Sequence, residues 1–159
     1  MQRKYRLLRE AAYEEGRRCF GGLAEDPTFR DFVCLYIGEG YKRSRNVVSL
    51  ANSDPAVVKL AVGWMRQVTA RPLGFGLQYH VDQAPEQLRR FWSRELGVES
   101  ESIRLQRKSN SGQLAGRSWR SKHGVLTVRA CDTMLRARLE AWIDCVRESW
   151  LYTRDQDGA

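Results

Sequence analysis

Basic residues are concentrated in two stretches of the sequence that contain no aspartate or glutamate. The shorter stretch, residues 40–53, carries Lys42, Arg43 and Arg45. The longer stretch, residues 102–131, carries seven positive charges, at Arg104, Arg107, Lys108, Arg117, Arg120, Lys122 and Arg129. Because lysine and arginine bind phosphate groups, two localised positive segments are typical of a surface that binds a polyanion such as a nucleic acid.

The overall charge agrees with this interpretation. The chain has 27 Lys and Arg against 19 Asp and Glu, a net charge of +8, and much of the excess lies in the two stretches. A basic surface without a partner is the alternative. A membrane partner is not expected, because the basic residues alternate with apolar ones and form no amphipathic helix. No apolar run resembles a signal peptide or a bilayer span, so we expect a cytoplasmic protein, associated with the nucleoid if it is bacterial.

Other chemistries have little support in the sequence. The cysteines, Cys19, Cys34, Cys131 and Cys145, form no CxxC pair, and only two histidines accompany them, so we interpret them as reduced core thiols rather than zinc ligands or disulfides. There is also no P-loop, no GxGxxG and no GxSxG motif. The two basic segments are therefore the stronger functional signal in the sequence.

Hydrophobic periodicity and helix-start signals predict one α+β domain. Helices are expected over 2–20, 27–39, 55–68 and 85–96 and from 132 onward, with Asp26-Pro27 and Asp54-Pro55 as starts. Strands are expected within 41–54, 73–82, 102–108 and 118–130. The helix over 27–39 is apolar on nearly every side from Phe32 to Ile37, so it must be buried all round. Four tryptophans are expected in the core: Trp64, Trp92, Trp142 and Trp150.

The run from Phe32 to Gly40, with the following YKRSR and VVSLANSDP, resembles the LAGLIDADG homing endonuclease family, in its compact, single-motif prokaryotic form. Glu39 matches the terminal acid of the motif and Gly40 its closing glycine, whereas Ile37 replaces the first acid and Val33 a smaller residue. The resemblance implies helices packed on one face of an antiparallel, DNA-binding sheet. It also implies a domain over 23–151, with 1–22 as a helical extension and 152–159 as a frayed tail.

Cys34 and Gly38 are small residues four positions apart, on one face of the predicted helix. Small residues at this spacing let a second helix approach closely. The resemblance implies that the second helix comes from another copy of the chain, with Cys34, Leu35 and Gly38 in the dimer interface. It further implies that Glu39 and Gly38 bind Mg²⁺ or Mn²⁺, with two or more ions shared at the dimer axis.

The family also places polar and basic side chains around the metal centre. The candidates are Asn52 or Ser49 on the strand before the second helix and Lys108 or Lys122 on a later strand. Capping of the following helix is a sufficient explanation for Asn52, so Lys108 and Lys122 are the ones predicted to be catalytic. The expected DNA contacts are Lys42, Arg43, Arg45, Ser49, Arg104, Arg107, Arg117, Trp119 and Arg120.

The function predicted from this resemblance is a Mg²⁺-dependent endonuclease that cuts double-stranded DNA at a pseudo-palindromic site as a homodimer. One alternative is a LAGLIDADG-like protein that no longer cleaves and acts as a DNA-binding regulator or as a maturase with an RNA partner. A further alternative is an unrelated basic α+β domain that binds RNA, which would expose aromatic residues such as Phe75 and Tyr79 on a sheet.

Overall fold

A computed structural model describes residues 1–109 and 121–156, with side chains up to residue 152. The helices are α1 (Gln2–Leu23), α2 (Pro27–Glu39), α3 (Pro55–Val68), α4 (Pro85–Leu96) and α5 (Thr133–Gln156). The strands are β1 (Val48–Asn52), β2 (Gly74–Tyr79), β3 (Ile103–Arg107) and β4 (Val125–Ala130), and a 3₁₀ turn at Ser100–Ser102 precedes β3. The predicted α+β class is confirmed.

The chain forms two compact units. The first comprises Met1–Val48 and Cys131–Ala159, and the second comprises Ser49–Ala130. In the part of the chain that is described, no helix is both long and apolar enough to cross a membrane.

Local sequence signals start and end the helices as expected. The side chain of Asp26 accepts a hydrogen bond from Thr28 N, and that of Asp54 accepts one from Ala56 N. A proline follows each of these aspartates in the first turn, where its missing N–H costs nothing. At the other end of α4, Gly97 adopts a left-handed conformation with φ 63°. The predicted boundaries of α2 and α3 are therefore confirmed.

The core of the first unit is built where α1 crosses α5. A Cβ atom on Gly16 would lie 2.8 Å from the carbonyl oxygen of Arg138 and 3.0 Å from Cβ of Ala141. Trp142 Nε1 donates a 3.0 Å hydrogen bond to Gly16 O, and the ring of Phe29 packs edge-on against Trp142. Helix α1, which was predicted to be a helical extension of the domain, thus packs in the core of this unit. The predicted domain boundaries stay a prediction.

The second unit is a four-stranded sheet in the order β1-β4-β2-β3. Strand β2 is antiparallel to β4 but parallel to β3, so the sheet is mixed and the predicted antiparallel sheet is wrong in this respect. Helix α4 lies between β2 and β3 in sequence, and such a crossover returns the chain in the same direction.

Helices α3 and α4 contact each other, α3 contacts β4, and α4 contacts β3, so both lie on one face of the sheet. The fully buried strand residues on this face include Leu77, Ile103, Leu126 and Val128. Both helices of this unit therefore pack against these buried strand residues.

Several sequence expectations need correction. The strand predicted within 41–54 begins only at Val48, because residues 41–47 form the irregular segment that closes the end of α2. Helix α2 is not buried all round, because its residue Cys34 is exposed. Cys131 is exposed as well, so these two free cysteines are not core thiols. Trp150 is 48% exposed, unlike the three buried tryptophans. Helix α5 continues to Gln156, which includes most of the tail that was expected to fray.

The Gly16 crossing gives a test of the fold. We expect Gly16→Ala to lower the free energy of unfolding by about 1–3 kcal/mol, because the added methyl group overpacks the contact with α5. Gly21→Ala is the matched control on the same helix, where a Cβ atom would meet nothing within 4 Å and stability should be unchanged or slightly higher. Denaturant unfolding measures both variants, and equal stabilities would contradict the close crossing.

Candidate nucleic-acid interface

The last turn of α2 is held by contacts around Tyr36. Gly40 N donates a 2.9 Å hydrogen bond to Tyr36 O, and the Tyr36 hydroxyl donates a 2.6 Å hydrogen bond to Tyr41 O. A Cβ atom on Gly40 would lie 2.5 Å from the Tyr36 ring. The chain can therefore turn over this ring only with glycine at position 40, which gives the closing glycine of the motif a physical cause.

Lys42 completes the same turn. Its Nζ donates hydrogen bonds to the carbonyl oxygens of Ile37, at 2.6 Å, and of Tyr36, at 3.4 Å. Tyr36 O also accepts the hydrogen bond from Gly40 N, whereas Ile37 O belongs to the last turn, whose carbonyl groups lack partners within a helix. A positive charge is favourable at this negative end of the helix dipole. Lys42, which was predicted to contact DNA, thus has a structural role as the C-terminal cap of α2.

Glu39 lies exposed at this same helix end, and its carboxylate has no ion-pair or hydrogen-bond partner among the described residues. An acidic side chain at a helix C-terminus faces the negative end of the helix dipole, where a positive charge would be favourable. Its oxygens are the hard donors that Mg²⁺ prefers. The described residues contain no group of three His, Cys, Asp or Glu side chains that could hold a metal.

The outer face of α2 carries the small residues of the predicted dimer interface. Cys34 and Gly38 are exposed and Leu35 is half-buried. A Cβ atom on Gly38 would meet nothing within 4 Å. The second helix that was expected against this face is therefore not seen within the described part of the chain, and the surface is open.

In the second unit, the sheet face opposite α3 and α4 is formed by described residues that are exposed or half-buried. The strand register determines which residues are neighbours on this face. Gly76 of β2 lies between Arg104 of β3 and Thr127 of β4. Gln78 lies between Gln106 and Val125, and Gly74 pairs with Arg129. All these residues alternate with the buried, helix-facing ones. None of them is acidic. We call this surface, formed by Gly74, Gly76, Gln78, Arg104, Gln106, Val125, Thr127 and Arg129, the open sheet face.

The open sheet face is flat at its centre and polar at its sides. Gly76 has no side chain and would have only one atom, Arg104 O at 4.0 Å, near an added Cβ. Arg104, Gln106, Gln78 and Arg129 are exposed. Lys108 follows β3, and its N–H donates a 2.8 Å hydrogen bond to Tyr79 O, which continues the ladder and places Lys108 in alternation with Arg104 and Gln106. This face can therefore present guanidinium, amide and ammonium groups to one ligand.

The other predicted site residues have different positions. Ser49 alternates with buried Val48 and Leu50, so it belongs to the open side of β1. Arg107 pairs with Tyr79 on the helix-facing side, away from Arg104. Asn52 Oδ1 accepts a 2.8 Å hydrogen bond from Asp54 N, which supports its role in the turn before α3.

Arg43, Arg45 and Lys122 are exposed, the first two in the irregular segment after α2 and the third just before β4. Arg117, Trp119 and Arg120 lie outside the described residues. The structure thus brings Glu39 and Lys42 together at the end of α2 in the first unit. In the second unit it aligns Arg104 with Lys108 along one side of β3.

Sequence reasoning missed Gln78, Gln106, Thr127 and Arg129 as members of the interface. Polar residues occur at every second position at 104, 106 and 108. Because side chains alternate between the two faces of a strand, this spacing could have placed all three on one face of β3. Their neighbours on β2 and β4 depend on the register, which no local pattern gives. Phe75 pairs with buried Ile103 and Val128, so it belongs to the helix-facing side rather than to an exposed stacking surface.

The alternation along β3 supplies a matched pair of variants. We expect Arg104→Ala to weaken binding to DNA about ten-fold or more, the effect of losing a bidentate contact to a base. Arg107→Ala removes the same charge from the same strand but from the other side, and we expect a change of less than about two-fold. Fluorescence anisotropy with a labelled duplex at fixed salt measures both, and equal losses would mean that charge alone, and not the open sheet face, governs binding.

Comparisons with protein-family models, with curated proteins and with solved structures found no match for this chain.

Proposed function

We propose that this protein binds double-stranded DNA through the open sheet face and cleaves it as a homodimer, in the manner of the LAGLIDADG endonucleases that its sequence resembles. The observation that carries the proposal is the composition of that face. Its exposed side chains are arginine and glutamine, no acidic residue interrupts them, and Lys108 extends the row along β3.

These side chains suit recognition of bases in the major groove. Arginine can donate two hydrogen bonds to guanine, and glutamine can pair with the donor and acceptor of adenine. Arg104 and Gln106 are neighbours on the same side of β3, and Gln78 is directly paired with Gln106. The absence of a side chain at Gly76 leaves room for the edges of the bases to approach the strand. A face that bound only phosphates would need positive charge but not paired amides.

Cleavage is proposed to depend on Glu39. Its free carboxylate, at an unfavourable position at the end of α2, is suited to hold Mg²⁺ or Mn²⁺ together with the backbone of Gly38 and with Glu39 of a second copy. The chemistry that such an ion supplies is activation of water and stabilisation of charge on the leaving oxygen. Lys42 acts as a positioning residue, because its bonds to Ile37 O and Tyr36 O fix the turn that presents Glu39. The predicted catalytic roles of Lys108 and Lys122 stay predictions.

The carboxylate is tested by Glu39→Gln. We expect this variant to lose DNA cleavage by at least about a hundred-fold, as removal of a metal ligand should, while its thermal stability and its DNA affinity in Ca²⁺ stay close to those of the parent. Cleaved sites are first selected from a randomised duplex library in Mg²⁺, and the best site is then used for both proteins. Glu25→Gln, which removes an exposed acid before α2, is the control and should cut normally. Full cutting by Glu39→Gln would refute the assignment.

Dimerisation is tested at Gly38, where the single chain leaves open space. We expect Gly38→Leu to fold normally but to shift the protein from dimer to monomer, because a large side chain would keep the two helices apart. Gly63→Leu is the control, since Gly63 is also an exposed helical glycine with nothing within 4 Å of an added Cβ. Sedimentation velocity gives the mass of each variant. A parent protein that is monomeric at all concentrations would contradict the homodimer.

A binding protein without nuclease activity is the second candidate. The observation that favours it is that the arginine and glutamine side chains of the open sheet face can bind a nucleic acid without a metal ion. Such a protein would act as a DNA-binding regulator or as an RNA maturase. It would select sites from the library in Ca²⁺ and show no cleavage in Mg²⁺, whereas the favoured function requires cleavage. An RNA-binding domain of unrelated type is less well supported, because Phe75 lies on the helix-facing side of the sheet.

A further inference from the structure

The first unit contains a cleft, and among its lining residues only Lys42 acts in the proposed cleavage. It has a volume of about 610 Å³ and lies between α1 and α5, with Lys42 and Arg45 also contributing. Its basic lining residues are Arg9, Lys42, Arg45, Arg136 and Arg147, and its acidic ones are Glu10, Glu14 and Glu140. The lining therefore carries two net positive charges. Clefts of roughly 300–1,000 Å³ are the size that binds small molecules.

Arg136 is the residue that makes this cleft a specific site. Its side chain is only 9% exposed, and Nη1 donates a 2.6 Å hydrogen bond to Glu140, whose side chain is 48% exposed. The Nε atom is buried without a hydrogen-bond partner among the described residues. A guanidinium removed from water needs an anion and hydrogen-bond acceptors, and one half-exposed carboxylate meets this need only in part. The site thus favours a further anion.

The rest of the lining suits an organic group attached to that anion. Ala137 and Ile143 provide apolar surface, and Tyr13 provides an aromatic ring. The Tyr13 hydroxyl donates a 2.7 Å hydrogen bond to Asp144, which fixes the ring and raises the pKa of Tyr13. The aromatic ring of Tyr13 can stack against a flat group.

We propose that this cleft binds a phosphate monoester of mononucleotide size, with its phosphate at Arg136 and its base against Tyr13. A phosphate monoester carries about −1.5 to −2 charge at pH 7, which matches the net charge of the lining. Arginine is suited to phosphate because its planar guanidinium can donate two parallel hydrogen bonds. The proposal is independent of DNA cleavage, and it gives the first unit a ligand site of its own.

The direct experiment is calorimetric titration of the full chain with inorganic phosphate, with the 5′-monophosphates of adenosine, guanosine, cytidine and uridine, and with the four nucleosides. We expect at least one monophosphate to bind with one site per chain, at least ten-fold more tightly than phosphate and than its nucleoside. Arg136→Met should weaken that binding at least ten-fold. Failure of all four monophosphates to bind, or binding no tighter than that of inorganic phosphate, would overturn the proposal.

Two further variants keep the result interpretable if Arg136→Met does not fold. Arg147→Gln changes an exposed residue of the lining and should weaken the same binding about three- to ten-fold. Arg94→Gln removes an exposed arginine from α4, outside the cleft, and should bind as the parent does.

The titration is repeated with a saturating DNA duplex. Unchanged nucleotide binding supports a separate site, whereas displacement by the duplex would overturn it and assign Arg136 to DNA phosphates.

Discussion

The division of the sheet into a buried and an open face is the constraint on which the proposed DNA-binding surface depends. Side chains alternate along a strand, so burying Leu77, Ile103 and Leu126 against α3 and α4 forces their neighbours to the opposite face. A shift of one residue in register would exchange the two sets, placing arginine and glutamine in the core. The cost of burying those groups thus fixes Arg104 and Gln106 outside.

The end of α2 shows how a locally unfavourable residue is kept in place. A carboxylate at a helix C-terminus is repelled by the helix dipole, yet Glu39 is followed by a turn that has almost no freedom. The close approach of Gly40 to the Tyr36 ring and the two hydrogen bonds from Lys42 define that turn. Lys42 also supplies the positive charge that the carbonyl oxygens require. Stability of the turn and exposure of the acid therefore come from the same few contacts.

The positive charges of this protein are used in three physically different ways. Arg104 and Arg129 are exposed on the open sheet face, where water solvates their guanidinium groups. Lys42 is bound to helix carbonyls. Arg136 is largely buried, pairs with Glu140 and has no hydrogen-bond partner for Nε among the described residues. Net charge alone does not distinguish these roles, since all four residues contribute equally to it.

The sequence by itself determined the helices, the α+β class and the basic character, because caps, periodicity and charge are local properties. Asp26-Pro27 and Asp54-Pro55 start α2 and α3 through contacts two residues apart. Tertiary structure decided the parallel pairing of β2 with β3, the burial of Arg136 and the separation of Arg104 from Arg107 by face. The path of the segment after α2 was also decided there, and it made Lys42 a cap rather than a strand residue. These features depend on which distant residues pack together, and a local pattern carries no information about such partners.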